Sequence, residues 1–362
     1  MKMAPVVHEM KKQGLEQILV HTGQHYDHQM SKLFFDELDM PRPGVNLDVG
    51  SGPHGEQTGE IMKRIEPVLI DENPDLVIVA GDVNSTIACA LTATKLGIPV
   101  AHVEAGLRSF DRSMPEEINR ILTDAISDYL FVSEESAMVN LRNEGIAEDK
   151  IYFVGNTMID TLLKHRQRAQ QIRPLNGLKS GTCPYGVLTL HRPGNVDTEE
   201  QLRNILEAMA DIAQQTPVIF PAHPRTVKQI ERFGLRAMFK NITEGVTSGM
   251  YMIEPLGYLQ FLSLMSGARI VFTDSGGIQE ETTVLGIPCI TLRENTERPV
   301  TITSGTNVLA GRRKENIIES AKKALNGNRS IPVSPQYWDG RAAERIVAIL
   351  RDKLAPVSTQ SV

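Results

Sequence analysis

Cysteine is scarce. The 362 residues hold three, Cys89, Cys183 and Cys289. None forms a CxxC pair and two sit inside apolar runs, so they read as buried free thiols of a reducing compartment. Long apolar runs are lacking too, which argues against a membrane span. No charged-then-apolar stretch near the start marks a signal peptide, so the cytoplasm is the expected location. Nor is there an excess of positive charge. A net charge of −6 gives no reason to expect a nucleic-acid or anionic-membrane partner, although a local positive pocket can still hold an anionic nucleotide. No internal repeat is visible.

What is present is an ordinary globular composition, 41% hydrophobic and 23% charged. The chain is too long for one ordinary core, so two domains are expected. Short apolar, β-branched runs alternate with longer amphipathic segments. The runs are Gln17–Val20, Leu76–Ala80, Pro99–Val103, Tyr129–Val132 and Tyr152–Val154, then Val187–Leu190, Val218–Phe220, Arg269–Thr273 and Pro288–Leu292. Near-continuous hydrophobicity predicts strands buried on both faces, as in parallel sheets. Helical patterns fall between them, at Thr86–Leu96, Glu116–Ser127, Leu202–Gln214 and Gly277–Leu285. The alternation predicts an α/β chain of two Rossmann-like, doubly wound domains. Asp160–Pro184 is the expected junction. Residues 1–160 would form the first domain, completed by a late helix over 341–354, and 161–340 the second. Met1–Lys12 reads as a helix with no strand or glycine-rich turn before it.

The strongest local signal is Thr273-Asp-Ser-Gly-Gly-Ile-Gln-Glu-Glu281, a buried strand running into a helix. Gly276 and Gly277 let the backbone approach a ligand, and the helix-start N–H groups can hold a phosphate. Ser275 adds a hydroxyl, and Glu281 can accept two hydrogen bonds from a ribose diol. Gly81-Asp82-Val-Asn-Ser85 also sits at the carboxyl end of a predicted strand. Asp82 reads as a base or as a helix N-cap. Glu104 ends another strand, in His102-Val-Glu-Ala-Gly-Leu-Arg108, and needs a partner, for which Arg108 and Arg120 are the candidates. Glu116 and Glu117 follow Pro115, where acid/base work competes with simple dipole complementation. His191 and His223 close two strands of the second half and can donate to a phosphate or sugar hydroxyl. Arg298 has the makings of a diphosphate clamp, or of a surface charge loop. His21, His25 and His28 match no zinc spacing, and no motif calls for a metal or a nicotinamide cofactor.

In this order, these residues resemble the non-hydrolysing UDP-N-acetylglucosamine 2-epimerases. The shared pieces are Gly81-Asp82, His102–Arg108, Pro115–Arg120, Gly155-Asn-Thr157, Thr189-Leu-His-Arg192, Thr273–Glu281 and Thr296-Glu-Arg-Pro299. The resemblance implies a glycosyltransferase-B-like arrangement with the site in an interdomain cleft. It implies interconversion of UDP-N-acetylglucosamine and UDP-N-acetylmannosamine, through removal of the C2 proton and elimination of UDP, in support of cell-surface polysaccharide synthesis. It implies catalytic roles for Asp82, Glu104, Glu116 and His191. It implies substrate contacts for Lys2, Arg120, Phe261 (beside the uracil), Ser275, Gly276, Gly277, Glu281 and Arg298. A homodimer is implied as well, and a second nucleotide-sugar site near Gln24 as in some bacterial relatives.

Three departures stand out. The family's first strand and Gly-Thr-Arg-Pro-Glu turn have no counterpart before Met1, so the expected start is an internal methionine of a longer chain. Val300 stands where an acid is usual, and Gly194-Asn195 where Glu-Asn is usual. The competing readings are a UDP-2,3-diacetamido-glucuronate 2-epimerase, a transferase of the same fold, and a nucleotide-sugar-binding protein without catalysis.

Overall fold

The computed structural model describes residues 1–24, 28–173, 184–240, 242, 246–327 and 334–354, with the backbone alone over 28–32. It divides into two compact units, Met1–Thr161 with Gln336–Val362, and Leu162–Pro335. Residues 174–183 of the expected junction, Cys183 among them, fall outside the described residues. Cys89 and Cys289 are free thiols, the first partly buried and the second buried.

The first unit contains α1 (Ala4–Lys12), β1 (Val20–His21), α2 (His28–Glu37), β2 (Val45–Asn46), α3 (His54–Glu72), β3 (Val77–Ala80), α4 (Asn84–Lys95), β4 (Val100–Ala105), α5 (Pro115–Ile126), β5 (Tyr129–Val132), α6 (Glu135–Asn143), β6 (Ile151–Phe153) and the first turn of α7 (Thr157–Gln170). The second holds β7 (Gly186–Thr189), α8 (Pro193–Val196), α9 (Glu199–Ile212), β8 (Val218–Pro221), α10 (Pro224–Arg232), β9 (Phe239–Lys240), β10 (Met250–Ile253), α11 (Tyr258–Ser266), β11 (Ile270–Thr273), α12 (Gly276–Leu285), β12 (Cys289–Thr291), α13 (Val300–Thr303), β13 (Asn307–Leu309) and α14 (Lys314–Asn326). The chain then returns to the first unit with α15 (Ala342–Leu354).

In the first unit, a parallel sheet of order β3-β4-β5-β6 lies beside a separate pair, β1-β2. The run Gln17–Val20 was expected as a strand, but only its last residue pairs. Among the described residues no ladder joins β1 to β3, and Ile18 stays exposed. A two-residue strand with one partner does not bury both faces. Helices α1 and α15 cover one face of the larger sheet through Val6, Ala343, Ile346, Val347 and Leu350 against Ala101, Val103 and Phe131. The late helix is fixed by Asp160 on α7, whose carboxylate accepts from Ala342 N (3.1 Å) and Ala343 N (2.7 Å). Both are open donors of the first turn of α15.

The second unit holds one seven-stranded parallel sheet, β13-β12-β11-β7-β8-β10-β9. Its core includes fully buried Phe220 and Phe272, each contributing roughly 3 kcal/mol by area removed from water. Strand order reverses between β7 and β11. That reversal opens a crevice at their carboxyl ends, where doubly wound sheets bind ligands. The short strands β2, β9 and β13 and the methionine-rich β10 carry no pattern that the sequence reading used. Among the described residues no helix is long and apolar enough to cross a membrane.

Candidate active site

In the first unit the site is built at the carboxyl ends of β3 and β4. Strand β3 stops at Ala80, and Gly81 follows at φ 72°. A Cβ on Gly81 would stand 2.7 Å from Lys2 Nζ, the movable end of a flexible side chain, so it is the φ that calls for glycine at this turn. Lys2 crosses it to donate to Glu104 Oε1 at 2.7 Å. Glu104 is therefore paired by Lys2 and not by either arginine that the sequence suggested. Glu104 has φ 74° inside β4, where the register to β5 shifts between Val103 and Ala105. A bulge of this kind re-aims one side chain, and a non-glycine residue there costs about 1–3 kcal/mol. The strain sits on a buried carboxylate of the candidate chemistry.

Asp82 is not a helix cap. The N-cap of α4 is Val83, with no side-chain hydrogen bond. The Asp82 carboxylate instead accepts from Arg120 Nη1, and its backbone carbonyl accepts from Asn119 Nδ2 at 2.9 Å. Arg120 is itself buried, with its other nitrogens on Glu117 Oε2 at 3.0 and 2.7 Å. The Arg120 guanidinium is thus occupied by two carboxylates, Glu117 and Asp82. Arg108 is likewise committed, to Asp124 at 2.7 Å and Glu144 at 2.6 Å. Glu116 stands in the first turn of α5, partly exposed, where the dipole also favours an acid.

Below this edge lies buried His102. Its Nδ1 faces Asp124 at 2.6 Å and its Nε2 faces the Gly81 carbonyl at 2.8 Å. Burial would raise the Asp124 carboxyl, but His102 and Arg108 together hold it below its ordinary value. Lys2, Gly81 and Asp82 line a cavity of about 560 Å³ whose remaining wall is mostly apolar, with Phe34, Phe35 and Met158.

In the second unit the site occupies the reversal between β7 and β11. Thr189 and Thr273 join the two strand ends through their hydroxyls at 2.6 Å. Asp274, fully buried, gathers the loop after β7. It accepts from His191 N (3.1 Å), Arg192 N (3.0 Å) and Asn195 Nδ2 (3.1 Å), and pairs with His191 Nδ1 at 2.9 Å. Burial would raise this carboxyl, but the His191 side chain and the two backbone donors hold it below its ordinary value. The His191 ring is thereby anchored on one side and open on the other. His223, which the sequence also placed at a cleft, is the N-cap of α10 and accepts from Arg225 N at 3.2 Å.

Ser275 caps α12 in extended conformation without a side-chain cap bond, and Gly276 and Gly277 form the first turn. A Cβ on Gly276 would stand 2.3 Å from Arg298 Nη1. Arg298 is therefore packed directly behind the helix start. It is held by Glu280 and Glu297, both at 2.6 Å, and is buried, so it is not part of a surface charge loop. Arg293 reaches Glu297 at 2.8 Å and Arg192 lies 3.6 Å from it. Three guanidiniums share two carboxylates behind this turn, and the open N–H groups of the helix N-terminus are a setting suited to a phosphate. Glu281 is buried and accepts from Tyr258 O–H at 3.0 Å. Burial, opposed by that hydrogen bond and assisted by Glu280, pushes its carboxyl up to about 8. Phe261 stands one turn along α11 from Tyr258, partly exposed.

Sequence reasoning gave no role to four carboxylates that hold this site together, Asp124, Asp274, Glu280 and Glu297, and weighed Glu117 only as an acid/base group or a dipole complement. The signal was faint: Asp274 reads as part of a turn, while Asp124, Glu280 and Glu297 carry no local motif of their own. His21 lies 3.4 Å from Asn46 Oδ1 and packs edge-on against Phe35. His25 and the His28 side chain fall outside the described residues. Among the described residues no group of three or more His, Cys, Asp or Glu side chains is placed to hold a metal.

Three comparisons bear on what this arrangement does. The family model described as UDP-N-acetylglucosamine 2-epimerase matches residues 8–351. A UDP-N-acetylglucosamine 2-epimerase of Methanocaldococcus jannaschii is 46% identical over 354 residues, covering 96% of this chain and 95% of that protein. A UDP-2,3-diacetamido-2,3-dideoxy-D-glucuronate 2-epimerase of Pseudomonas aeruginosa is 44% identical, covering 94% and 93%. The solved structure of the Methanocaldococcus jannaschii UDP-GlcNAc 2-epimerase in complex with UDP-GlcNAc and UDP superposes with a TM-score of 0.89 at 47% identity, covering 97% of this chain and 96% of that one.

Proposed function

We infer the reaction from one premise: this chain belongs to the UDP-N-acetylglucosamine 2-epimerase family. It is an enzyme that interconverts UDP-N-acetylglucosamine and UDP-N-acetylmannosamine. The C2–H bond breaks as the C1–O bond to UDP breaks. The C–H electron pair becomes the C1=C2 double bond of a 2-acetamidoglucal, and the C1–O pair leaves with UDP. In the return step a diphosphate oxygen bonds C1, and the double-bond pair takes a proton at C2 from the other face. The chemistry therefore needs carboxyl groups that take and give a proton near C2, and a firm hold on a departing diphosphate.

The observation that carries this reading is Glu104, a buried carboxylate kept at a strained φ on a bulge and paired with Lys2. Core packing does not require such a group. We assign proton transfer to Glu104 and Asp82, with Glu116 as the third carboxyl of the set. In the second unit His191, oriented by Asp274, donates to the leaving diphosphate. The open N–H groups of Gly276 and Gly277 and the Ser275 hydroxyl bind phosphate oxygens. Arg298 adds positive charge from behind the turn. Glu281 holds the ribose and Phe261 the uracil face. Lys2 bonds the diphosphate as well as Glu104. In this scheme the protein's own groups carry every step. A homodimer in the cytoplasm is the working form, checked by light scattering of the native protein.

The test is solvent exchange. Incubated in D₂O with UDP-N-acetylglucosamine and no acceptor, the protein should place deuterium at C2 of both epimers. No deuterium at C2 alongside intact UDP binding would refute the enzymatic reading. Running UDP-2,3-diacetamido-glucuronate beside it decides between the two substrates that the relatives act on.

A further inference from the structure

The residue after Glu116 has a different task from its neighbour. Glu117 is 1% exposed, and a buried carboxylate is stable only when its oxygens are satisfied. Here they are satisfied from three directions. Ser109 donates its N–H (3.0 Å) and its hydroxyl (3.0 Å), and Phe110 donates its N–H at 2.8 Å. Arg120 donates Nε and Nη2. Burial would raise the Glu117 carboxyl, but these donors hold it below its ordinary value. Phe110 is fixed in this way at φ 58°, the residue 78% exposed. The middle of the loop that leads from Glu104 to Glu116 thus hangs on this carboxylate, while Gly106 and Arg108 at its start are held by Asp124. The same carboxylate takes two of the three Arg120 nitrogens, leaving Nη1 for Asp82. An arginine fork engaged on both branches has little freedom to rotate.

We propose that Glu117 is a positioning residue for the epimerisation: through Arg120 it fixes the Asp82 carboxylate against the substrate, and through Ser109 and Phe110 it locks the loop between the two other carboxylates. Glu117 itself touches no substrate. The proposal rests on the assignment of Asp82 to the chemistry made above. Misplacement of a reacting group by about 1 Å lowers rate on the order of 100-fold with little change in ground-state binding.

The experiment compares wild type with E117Q, E117D, R120K, the double variant E117Q/R120K, and D82N. For each, kcat, KM and C2 deuterium exchange are measured per UDP-binding site, so that loss of folded protein does not register as loss of rate. E117Q is expected to lower kcat about 100-fold with KM within about threefold. E117D, which keeps the charge, should retain about tenfold more activity than E117Q. Because Glu117 acts through Arg120, the double variant should be no worse than about threefold below R120K alone. Wild-type kcat in E117Q, or losses in E117Q and R120K that multiply in the double variant, would overturn the proposal. D82N separates it from its premise. An active D82N removes Asp82 from the chemistry, whereas an inactive D82N beside a normal E117Q sinks the positioning role alone. Should E117Q not yield folded protein, E117D decides. Its carboxylate is drawn back by one methylene, so an unchanged kcat refutes the proposal and a loss with unchanged KM supports it.

Discussion

Glu281 gives the sharpest quantitative prediction. Its carboxyl sits fully buried against Tyr258 and is pushed from the ordinary 4.5 up to about 8. Between those values the folded protein carries a proton that the unfolded chain has released. Folding therefore binds a proton, and stability falls as pH rises across this window. The contribution is fully present below pH 4.5 and gone above about 8. At about 1.4 kcal/mol per pH unit, the span gives an upper bound of about 5 kcal/mol. The perturbation is Glu281→Gln, which keeps an oxygen to accept from Tyr258 but carries no titrating group. Wild type and E281Q should be nearly equal in stability at pH 4, and E281Q the more stable at pH 8.5. Native-state hydrogen exchange of amides in α12 and β11 reads this locally. The ratio of wild-type to variant exchange rates should be near one at pH 4 and about tenfold or more at pH 8.5. A ratio that is the same at both pH values, or that favours wild type at pH 8.5, would show that burial does not hold this carboxyl protonated.

Three other outcomes follow from the same geometry. Gly276→Ala places a methyl 2.3 Å from Arg298 Nη1 and 2.9 Å from Glu297 Oε1, so it should destabilise the second unit by about 1–3 kcal/mol. It should also weaken UDP binding by more than tenfold in calorimetry, and wild-type affinity would remove Arg298 from behind the phosphate turn. Asp274→Ala frees His191 and takes the acceptor from the His191 and Arg192 N–H groups, while Asn195 Nδ2 keeps only Leu292 O. A loss of about 3–5 kcal/mol in urea unfolding is expected, together with a drop in kcat larger than the change in KM. Asp160→Ala removes two hydrogen bonds from the start of α15. It should lower stability by about 1–2 kcal/mol, detectable as early proteolysis of the carboxyl-terminal helix while UDP affinity stays unchanged.

The parallel strands were legible because each is a short apolar run buried on both faces: β3, β4, β5, β7, β8, β11 and β12 lie where hydrophobicity alone put them. Those that escaped had no such pattern. Strands β2 and β9 are two residues long, and the run before β1 lost its strand character because only one edge of it found a partner. The glycine turns at Gly81 and Gly276 were also legible, since glycine after a buried strand signals a special backbone or a close approach. What sat behind them was not. Nothing in the spacing says that Lys2 crosses Gly81 or that Arg298 packs under Gly276, since these pairs lie 79 and 22 residues apart.

The sequence by itself determined the alternation of strand and helix, the placing of Asp82, Glu104, His191 and Ser275 at strand ends, and the family. Local periodicity and turn chemistry are properties of neighbouring residues, so they survive in one dimension. Only the tertiary structure decided which charge meets which. Lys2, not an arginine, holds Glu104. Arg120 holds Asp82, and Asp274 orients His191. Each pairing joins residues on different elements, and each is fixed by the need to satisfy a buried charge with whatever donor the packing brings within 3 Å.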